Sequence, residues 1–199
     1  MKRKIAIDVD DVLFDFVNPF LDFWNEKYKT SFKKEDVFSF NLERVFGVLR
    51  KEKNEMMNEF YKSPFFKNLH PIPMSQEILS YLKEENENII VTSRLVGLEG
   101  IDMKEITESS LEKNFKGNYS AVFYSKNHET NGQSKANICE REKASLLVED
   151  CLYYAFECDQ KRIPVFLMDT PWNQGDLRGT LITRVKNWEE VLKELNNYF

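Results

Sequence analysis

Lys4-Ile5-Ala6-Ile7-Asp8-Val9-Asp10-Asp11-Val12-Leu13-Phe14-Asp15-Phe16 is the stretch on which the fold turns. An apolar run without polar alternation leads into three carboxylates, Asp8, Asp10 and Asp11. Such a run fits a strand buried on both faces, as in a parallel sheet covered by helices. In those sheets chemistry collects beyond the carboxyl ends of the strands. Three acidic groups at one strand end repel each other and lose hydration. A divalent cation removes that cost, and an all-oxygen ligand set suits Mg²⁺. The plain alternative is an acidic turn or hairpin that merely stops a strand, and the stretch alone leaves it open.

Over the whole chain the composition is that of a globular protein with a sizeable core: 199 residues, 42% apolar and 31% charged. No run approaches the ~18 apolar residues of a membrane span, so no membrane partner is expected. The basic start Met1-Lys2-Arg3-Lys4 is followed by an apolar run that ends at Asp8, too short for a signal peptide. Net charge is 28 − 33 = −5, with the basic residues dispersed, which disfavours binding to long nucleic acid. Cys139, Cys151 and Cys158 are odd in number and lie at no metal-like spacing. They read as reduced thiols of a cytoplasmic protein.

Beyond Phe14 the chain becomes aromatic. Eleven of its 16 phenylalanines fall between Phe14 and Phe66, with Trp24, Tyr28 and Tyr61 among them. Val17, Phe20, Leu21, Trp24 and Tyr28 recur at helical spacing, as do Leu42, Val45, Phe46 and Leu49. Met56, Met57, Phe60 and Tyr61 predict a further helix, stopped at Ser63-Pro64. Pro71 and Pro73 mark a return to alternating elements. Helices are predicted over Ile78–Leu82, Lys135–Glu142, Leu152–Cys158 and Trp188–Leu195. Strands are predicted over Asn88–Val91, Ala121–Tyr124, Ser145–Val148 and Pro164–Met168. Gly97 and Gly100 suggest a loop before a helix near Lys104, and Asn131-Gly132 a turn. Alternating helices and apolar strands imply βαβ units and a parallel sheet. The expected architecture is a Rossmann-like α/β core of residues 1–14 and 75–199, with a small all-helical cap of residues 15–74 inserted after the first strand.

Three later stretches bear on the acidic cluster. The strand at Val91 ends in Thr92-Ser93-Arg94, where hydroxyls and free backbone amides can donate to a phosphate oxygen, or simply cap a turn. The strand at Val148 ends in Glu149-Asp150, a carboxylate pair with no structural use if buried and unpaired, or else a helix cap. Lys135 opens the helix before that strand. It reads as an ordinary surface lysine unless the fold turns it toward the carboxylates, and Lys143 at the other end of the helix competes with it.

Taken together and in this order, Asp8-Val9-Asp10-Asp11-Val12-Leu13, the Thr92 strand end, Lys135 and Glu149-Asp150 resemble the four motifs of the haloacid dehalogenase (HAD) superfamily of phosphohydrolases. The extension Asp15-Phe16 is similar to the 5′(3′)-deoxyribonucleotidases and related bacterial nucleotidases. So are the aromatic exit Ser63-Pro64-Phe65-Phe66 before Leu69-His70-Pro71-Ile72-Pro73, and the tail Arg184-Val185-Lys186-Asn187-Trp188-Glu189-Glu190-Val191, which looks like their closing strand and helix. The likeness covers nearly the whole chain and is thin through residues 25–60. Asp11 stands where a glycine is common, which leaves the detail of the loop open.

The resemblance implies hydrolysis of a phosphate monoester through an aspartyl-phosphate. Asp8 would be the nucleophile and Asp10 the acid/base. Thr92, Ser93 and Lys135 would bind the phosphoryl group. Mg²⁺ would be held by Asp8, the Asp10 carbonyl and Asp150, with Glu149 behind them. The substrate implied is a small phosphorylated molecule, a nucleoside monophosphate, with Phe16 stacking on its base. A phosphatase of another small phosphate such as a sugar phosphate, and a non-catalytic domain that kept the fold, are the alternatives. A phospho-accepting receiver is disfavoured by the insert. Base, sugar, phosphate position and oligomeric state are not read from the residues.

Overall fold

The opening apolar run forms one of the two central strands of the computed structural model, which describes residues 2–94, 100–125, 133–178 and 180–198. In chain order the elements are β1 (Arg3–Ile7), α1 (Val17–Tyr28), α2 (Leu42–Phe46), α3 (Arg50–Lys62), α4 (Pro64–Lys67), α5 (Ser75–Leu82), β2 (Asn86–Thr92), α6 (Met103–Phe115), β3 (Ala121–Tyr124), α7 (Lys135–Glu142), β4 (Ala144–Glu149), α8 (Leu152–Gln160), β5 (Val165–Met168), β6 (Ile182–Val185) and α9 (Trp188–Tyr198). Short 3₁₀ turns stand at Lys34–Asp36 and Pro171–Asn173.

The six strands form one parallel sheet in the order β3-β2-β1-β4-β5-β6. Because successive residues of a strand point to opposite faces, the run splits between two layers. Ile5 and Ile7 pack with Leu79, Leu111, Phe115, Trp188 and Val191, under α5, α6 and α9. Ala6 packs with Ala136, Cys139, Ala155 and Cys158, under α7 and α8. Absence of alternation in the sequence is thus the signature of two covered faces. The chain leaves β1 first toward β2 and later returns beside it as β4, so the strand order reverses between β1 and β4. A crevice opens at such a reversal, beyond the strand ends. Asp8 enters it directly, its N–H donating to the Val148 carbonyl at 3.0 Å.

The segment between β1 and β2 is helical as far as α4. Phe20, Trp24, Met56, Phe60 and Phe66 form its buried aromatic cluster, which Ile101 and Met103 join from beyond β2. Val17, Leu21, Val37 and Val45 form a second cluster closed by Trp172. The two ends of the segment are tied together: Asp15 N–H donates to the His70 carbonyl at 3.0 Å and Ile72 N–H to Leu13 at 2.8 Å. Entry and exit therefore run side by side at the mouth of the crevice.

Helix starts follow ordinary capping. Ser134 Oγ accepts from Asn137 N–H at 3.2 Å, and Asp102 Oδ1 from Glu105 N–H at 2.9 Å. The structure departs from the sequence pattern in three places. Leu49 lies outside α2 and is exposed, because Gly47 adopts φ +65° and ends that helix after Phe46. Ser63-Pro64 stops α3 but also starts α4, with Ser63 as its cap. The edge strand β6 is only four residues long, with Ile182 and Val185 buried and the two residues between them partly so, and only the likeness of the tail pointed to it. Gly97 and the Asn131-Gly132 turn lie outside the described residues; α6 begins at Met103, close to the expected Lys104.

All three cysteines carry free, buried thiols. Among the described residues no helix is long and apolar enough to cross a membrane.

Candidate active site

The loop after β1 is drawn into a tight turn by its own backbone. Leu13 and Phe14 N–H both donate to the Val9 carbonyl at 2.9 Å, and Asp11 N–H donates to Phe14 at 2.7 Å. Trp188 Nε1 fixes the turn from below, donating to the Val12 carbonyl at 2.8 Å. Asp11 pays for this curvature with φ +54°, a region that glycine enters freely and aspartate tolerates. Its carboxylate compensates locally, accepting from Val17 N–H at 3.4 Å and from Lys34 Nζ at 3.4 Å. The glycine-for-aspartate difference at this position is therefore a backbone matter.

Four of the expected residues meet at the reversal point. Lys135, in the first turn of α7, is 1% exposed, and its Nζ lies 2.8 Å from Asp8 Oδ1 and 2.8 Å from Glu149 Oε2. Lys143 is exposed, at the far end of the helix. Glu149 is engaged at both oxygens, because Oε1 accepts from Asp150 N–H at 3.3 Å and Cys151 N–H at 3.1 Å. Asp150 completes the group: ligand atoms of Asp8, Glu149 and Asp150 lie within 4.8 Å of one another.

Electrostatics follows from that packing. Burial, then the nearby Glu149, pushes Asp8 up to about 8 despite Lys135. Burial, then Glu149 and Asp8, holds Asp150 well above the ordinary carboxylate range. Burial works against the charge on Lys135, yet Asp8 and Glu149 hold its ammonium well above the ordinary lysine value. Three carboxylates facing one ammonium leave an excess of negative charge, and an all-oxygen donor set with that excess fits a hard divalent cation.

Thr92 ends the neighbouring strand, buried, its Oγ1 accepting from Arg94 N–H at 3.2 Å. Ser93 Oγ is 2.7 Å from Ser125 Oγ. Asp10 is half-buried and gripped by the Arg94 side chain, Nη2 lying 2.6 Å from Oδ1. Phe16 packs among the aromatics of the helical segment. It stacks on Phe20 (6.3 Å between centroids, 9°) and meets Phe60 edge-on at 5.3 Å and Phe66 at 6.2 Å.

Several site residues carried no readable signal. Trp172 Nε1 donates to Asp150 Oδ2 at 2.8 Å, and Asn173 Nδ2 donates to the Asp150 carbonyl at 2.7 Å. Both come from a 3₁₀ turn after β5, which periodicity passes over. Lys34 lies 5.3 Å over the Trp172 ring, so a residue of the helical insert reaches this corner. Tyr154 presents its ring 4.5 Å from Lys135 Nζ, and Phe40 approaches Tyr154 edge-on at 6.4 Å. Arg94, whose guanidinium grips Asp10, belongs with them. The one sign available for it was its place, directly after two hydroxyl residues at a strand end.

The family model described as 5′ nucleotidase, deoxy (pyrimidine), cytosolic type C protein matches residues 2–110. A 5′(3′)-deoxyribonucleotidase of Bacillus subtilis is 24% identical over 195 residues, 98% of this chain and 99% of that protein. A haloacid dehalogenase-like hydrolase of Streptococcus pneumoniae superposes with a TM-score of 0.69 at 15% identity, over 98% of both chains. A protein of Bacillus subtilis described as a HAD hydrolase, solved bound to magnesium, superposes at 0.66 with 16% identity, over 98% of this chain and 99% of its own. The two structural likenesses speak to the fold.

Proposed function

The chain belongs to the family of 5′ nucleotidase, deoxy (pyrimidine), cytosolic type C proteins, and from that premise we propose that it hydrolyses nucleoside monophosphates through an aspartyl-phosphate on Asp8, with Mg²⁺ as cofactor. It is a HAD-superfamily nucleotidase, a phosphoric monoester hydrolase. The observation that carries the finer reading is the buried contact of Lys135 with Asp8 at the sheet's reversal point, shared with Glu149.

Lys135 opposes the burial and the Glu149 charge that hold Asp8 protonated, so it favours the anionic, nucleophilic carboxylate, which the charge of a bound Mg²⁺ would favour further; it also neutralises phosphoryl oxygens as they arrive. The first half-reaction forms a bond from the Asp8 carboxylate oxygen to phosphorus and breaks the ester P–O bond. The departing oxygen takes a proton from Asp10. In the second half-reaction Asp10 takes a proton from water, the water oxygen bonds to phosphorus, and the Asp8–phosphorus bond breaks. Inorganic phosphate leaves and both carboxyl groups return to their starting states. Thr92 and Ser93 orient the phosphoryl oxygens from the next strand end.

Asp8, the Asp10 carbonyl and Asp150 would hold Mg²⁺, which when bound supplies positive charge to the phosphoryl group. Glu149 serves behind them, since both its oxygens are already committed to Lys135 and to backbone N–H groups. Residues 15–74 act as the cap over a core of residues 1–14 and 75–199. The side-by-side ties between Leu13–Asp15 and His70–Ile72 support that division. Phe16 contributes to an aromatic wall for the nucleoside. The protein acts in the cytoplasm on a small phosphorylated substrate.

The test is phosphate release over a panel of nucleoside monophosphates and sugar phosphates with Mg²⁺. The reading requires kcat/KM for at least one nucleotide to exceed every sugar phosphate. A sugar phosphate at the head of the panel would overturn the substrate assignment.

A further inference from the structure

Arg94 is buried among groups from three separate parts of the fold. Its Nε lies 3.2 and 3.1 Å from Oδ1 and Oδ2 of Asp10, and Nη2 lies 2.6 Å from Oδ1. Nη1 donates to Thr107 Oγ1 of α6 at 3.3 Å, and that hydroxyl donates to the Met103 carbonyl at 2.7 Å. On another side the guanidinium carbon stands 5.0 Å from the centre of the Phe66 ring of α4. The Arg94 side chain is 3% exposed and that of Asp10 is 28%. The arginine is thus fixed by packed partners, while the carboxylate it grips is partly open to solvent.

A half-exposed aspartate on a loop has rotamer freedom that proton transfer cannot tolerate. Misplacement of a reacting group by ~1 Å costs about 100-fold in rate. A planar, two-pronged partner removes that freedom in a way a point charge does not. We propose that Arg94 is a positioning residue for the reaction: anchored by Thr107 and Phe66, it orients the Asp10 carboxylate toward the ester oxygen that leaves. The inference rests on the reading of Asp10 as acid/base. A purely structural ion pair would have no reason to discriminate between leaving groups, whereas positioning of Asp10 matters most where the leaving oxygen needs a proton.

The experiment measures single-turnover phosphorylation with a nucleoside monophosphate, whose alkoxide leaves poorly, and with p-nitrophenyl phosphate, which leaves with little protonation. Arg94→Gln is expected to slow the nucleotide roughly 10- to 100-fold and p-nitrophenyl phosphate by less than about threefold. Arg94→Lys should not restore the nucleotide rate, whereas added guanidinium should partly restore Arg94→Ala. In an Asp10→Asn background, Arg94→Gln should cause no further loss. Equal slowing of both substrates, or full additivity in the double variant, would overturn the inference. Should Arg94→Gln fail to fold by circular dichroism, Thr107→Val removes the hydroxyl's bonds to Arg94 and to the Met103 carbonyl and leaves the Arg94–Asp10 contact in place. It should give a smaller, still nucleotide-selective loss, and an unselective one counts against Arg94. Asp10→Asn alone separates the two layers. If it is not selective, the acid/base reading itself falls; if it is and Arg94→Gln is not, only the positioning role falls.

Discussion

Trp172 donates its indole N–H to Oδ2 of Asp150 at 2.8 Å, and both residues are buried. With Asn173 holding the Asp150 carbonyl, this turns the carboxylate toward Asp8 rather than leaving it to choose a rotamer. Groups that orient a metal-binding carboxylate typically contribute 10- to 100-fold to metal affinity. Trp172→Phe keeps the ring and deletes the donor. It is expected to raise the Mg²⁺ concentration for half-maximal activity by about tenfold and to weaken Mg²⁺ binding by titration calorimetry to match. Unchanged affinity would show that Asp150 needs no such support, or is no ligand.

Asp8→Asn should abolish nucleotide turnover while leaving the fold intact, because the amide has nearly the same shape and no nucleophilic charge. The expected rate is at the limit of detection, with an unchanged circular dichroism spectrum. Residual activity within about tenfold of the parent, in a preparation free of contaminating phosphatase, would sink the aspartyl-phosphate.

The buried acids make metal-free stability depend on pH in an unusual direction. Burial, then Glu149, pushes Asp8 up to about 8. Burial, with Asp15 and Asp10 nearby, pushes Asp11 up to about 7 in spite of Lys34. A carboxyl raised above its ordinary 3.8 binds its proton more tightly in the folded state. Its contribution is fully present below the unfolded value and is lost as pH rises through 7 and 8. In EDTA the melting temperature should therefore fall between about pH 5 and pH 8. Mg²⁺ should restore it, most strongly at the upper end. A melting temperature that climbs across that range in EDTA, or ignores Mg²⁺, would contradict this account of the cluster.

These expectations rest on parts of the chain that differ in how far they could be read beforehand. β1, α7 and β4 are legible because burial on both faces, or a capped amphipathic turn, leaves a local imprint. The observed α7, Lys135–Glu142, coincides with the helix its pattern predicts. The meeting of Asp8, Lys135, Glu149 and Asp150 follows from strand order, and only the likeness in their spacing could announce it. Trp172, Asn173 and Arg94 left little imprint, because each acts through hydrogen bonds made from an irregular segment, where no periodicity marks it. Leu49 misleads for the opposite reason. Its helical spacing runs on past Gly47, whose left-handed backbone had already ended the helix.

Phe16 gives the sharpest division between packing and recognition. Its ring is half-buried against Phe20, Phe60 and Phe66, so truncation removes partners from the insert's aromatic cluster. Phe16→Ala should lower the melting temperature by several degrees on that ground alone. Stacking on a base contributes ~1–3 kcal/mol in single-stranded nucleic acid binding, the nearest comparison. If Phe16 also meets the nucleoside, kcat/KM for the nucleotide should fall roughly five- to 150-fold, measured well below the melting temperature. p-Nitrophenyl phosphate, which has no base, should be nearly unaffected. An equal fall on both substrates would confine Phe16 to packing. Phe40→Ala is the companion measurement. Phe40 is 49% exposed and reaches toward Tyr154, whose ring lies over Lys135. A nucleotide-selective loss in Phe40→Ala with none in Phe16→Ala would move the base to that side of the crevice.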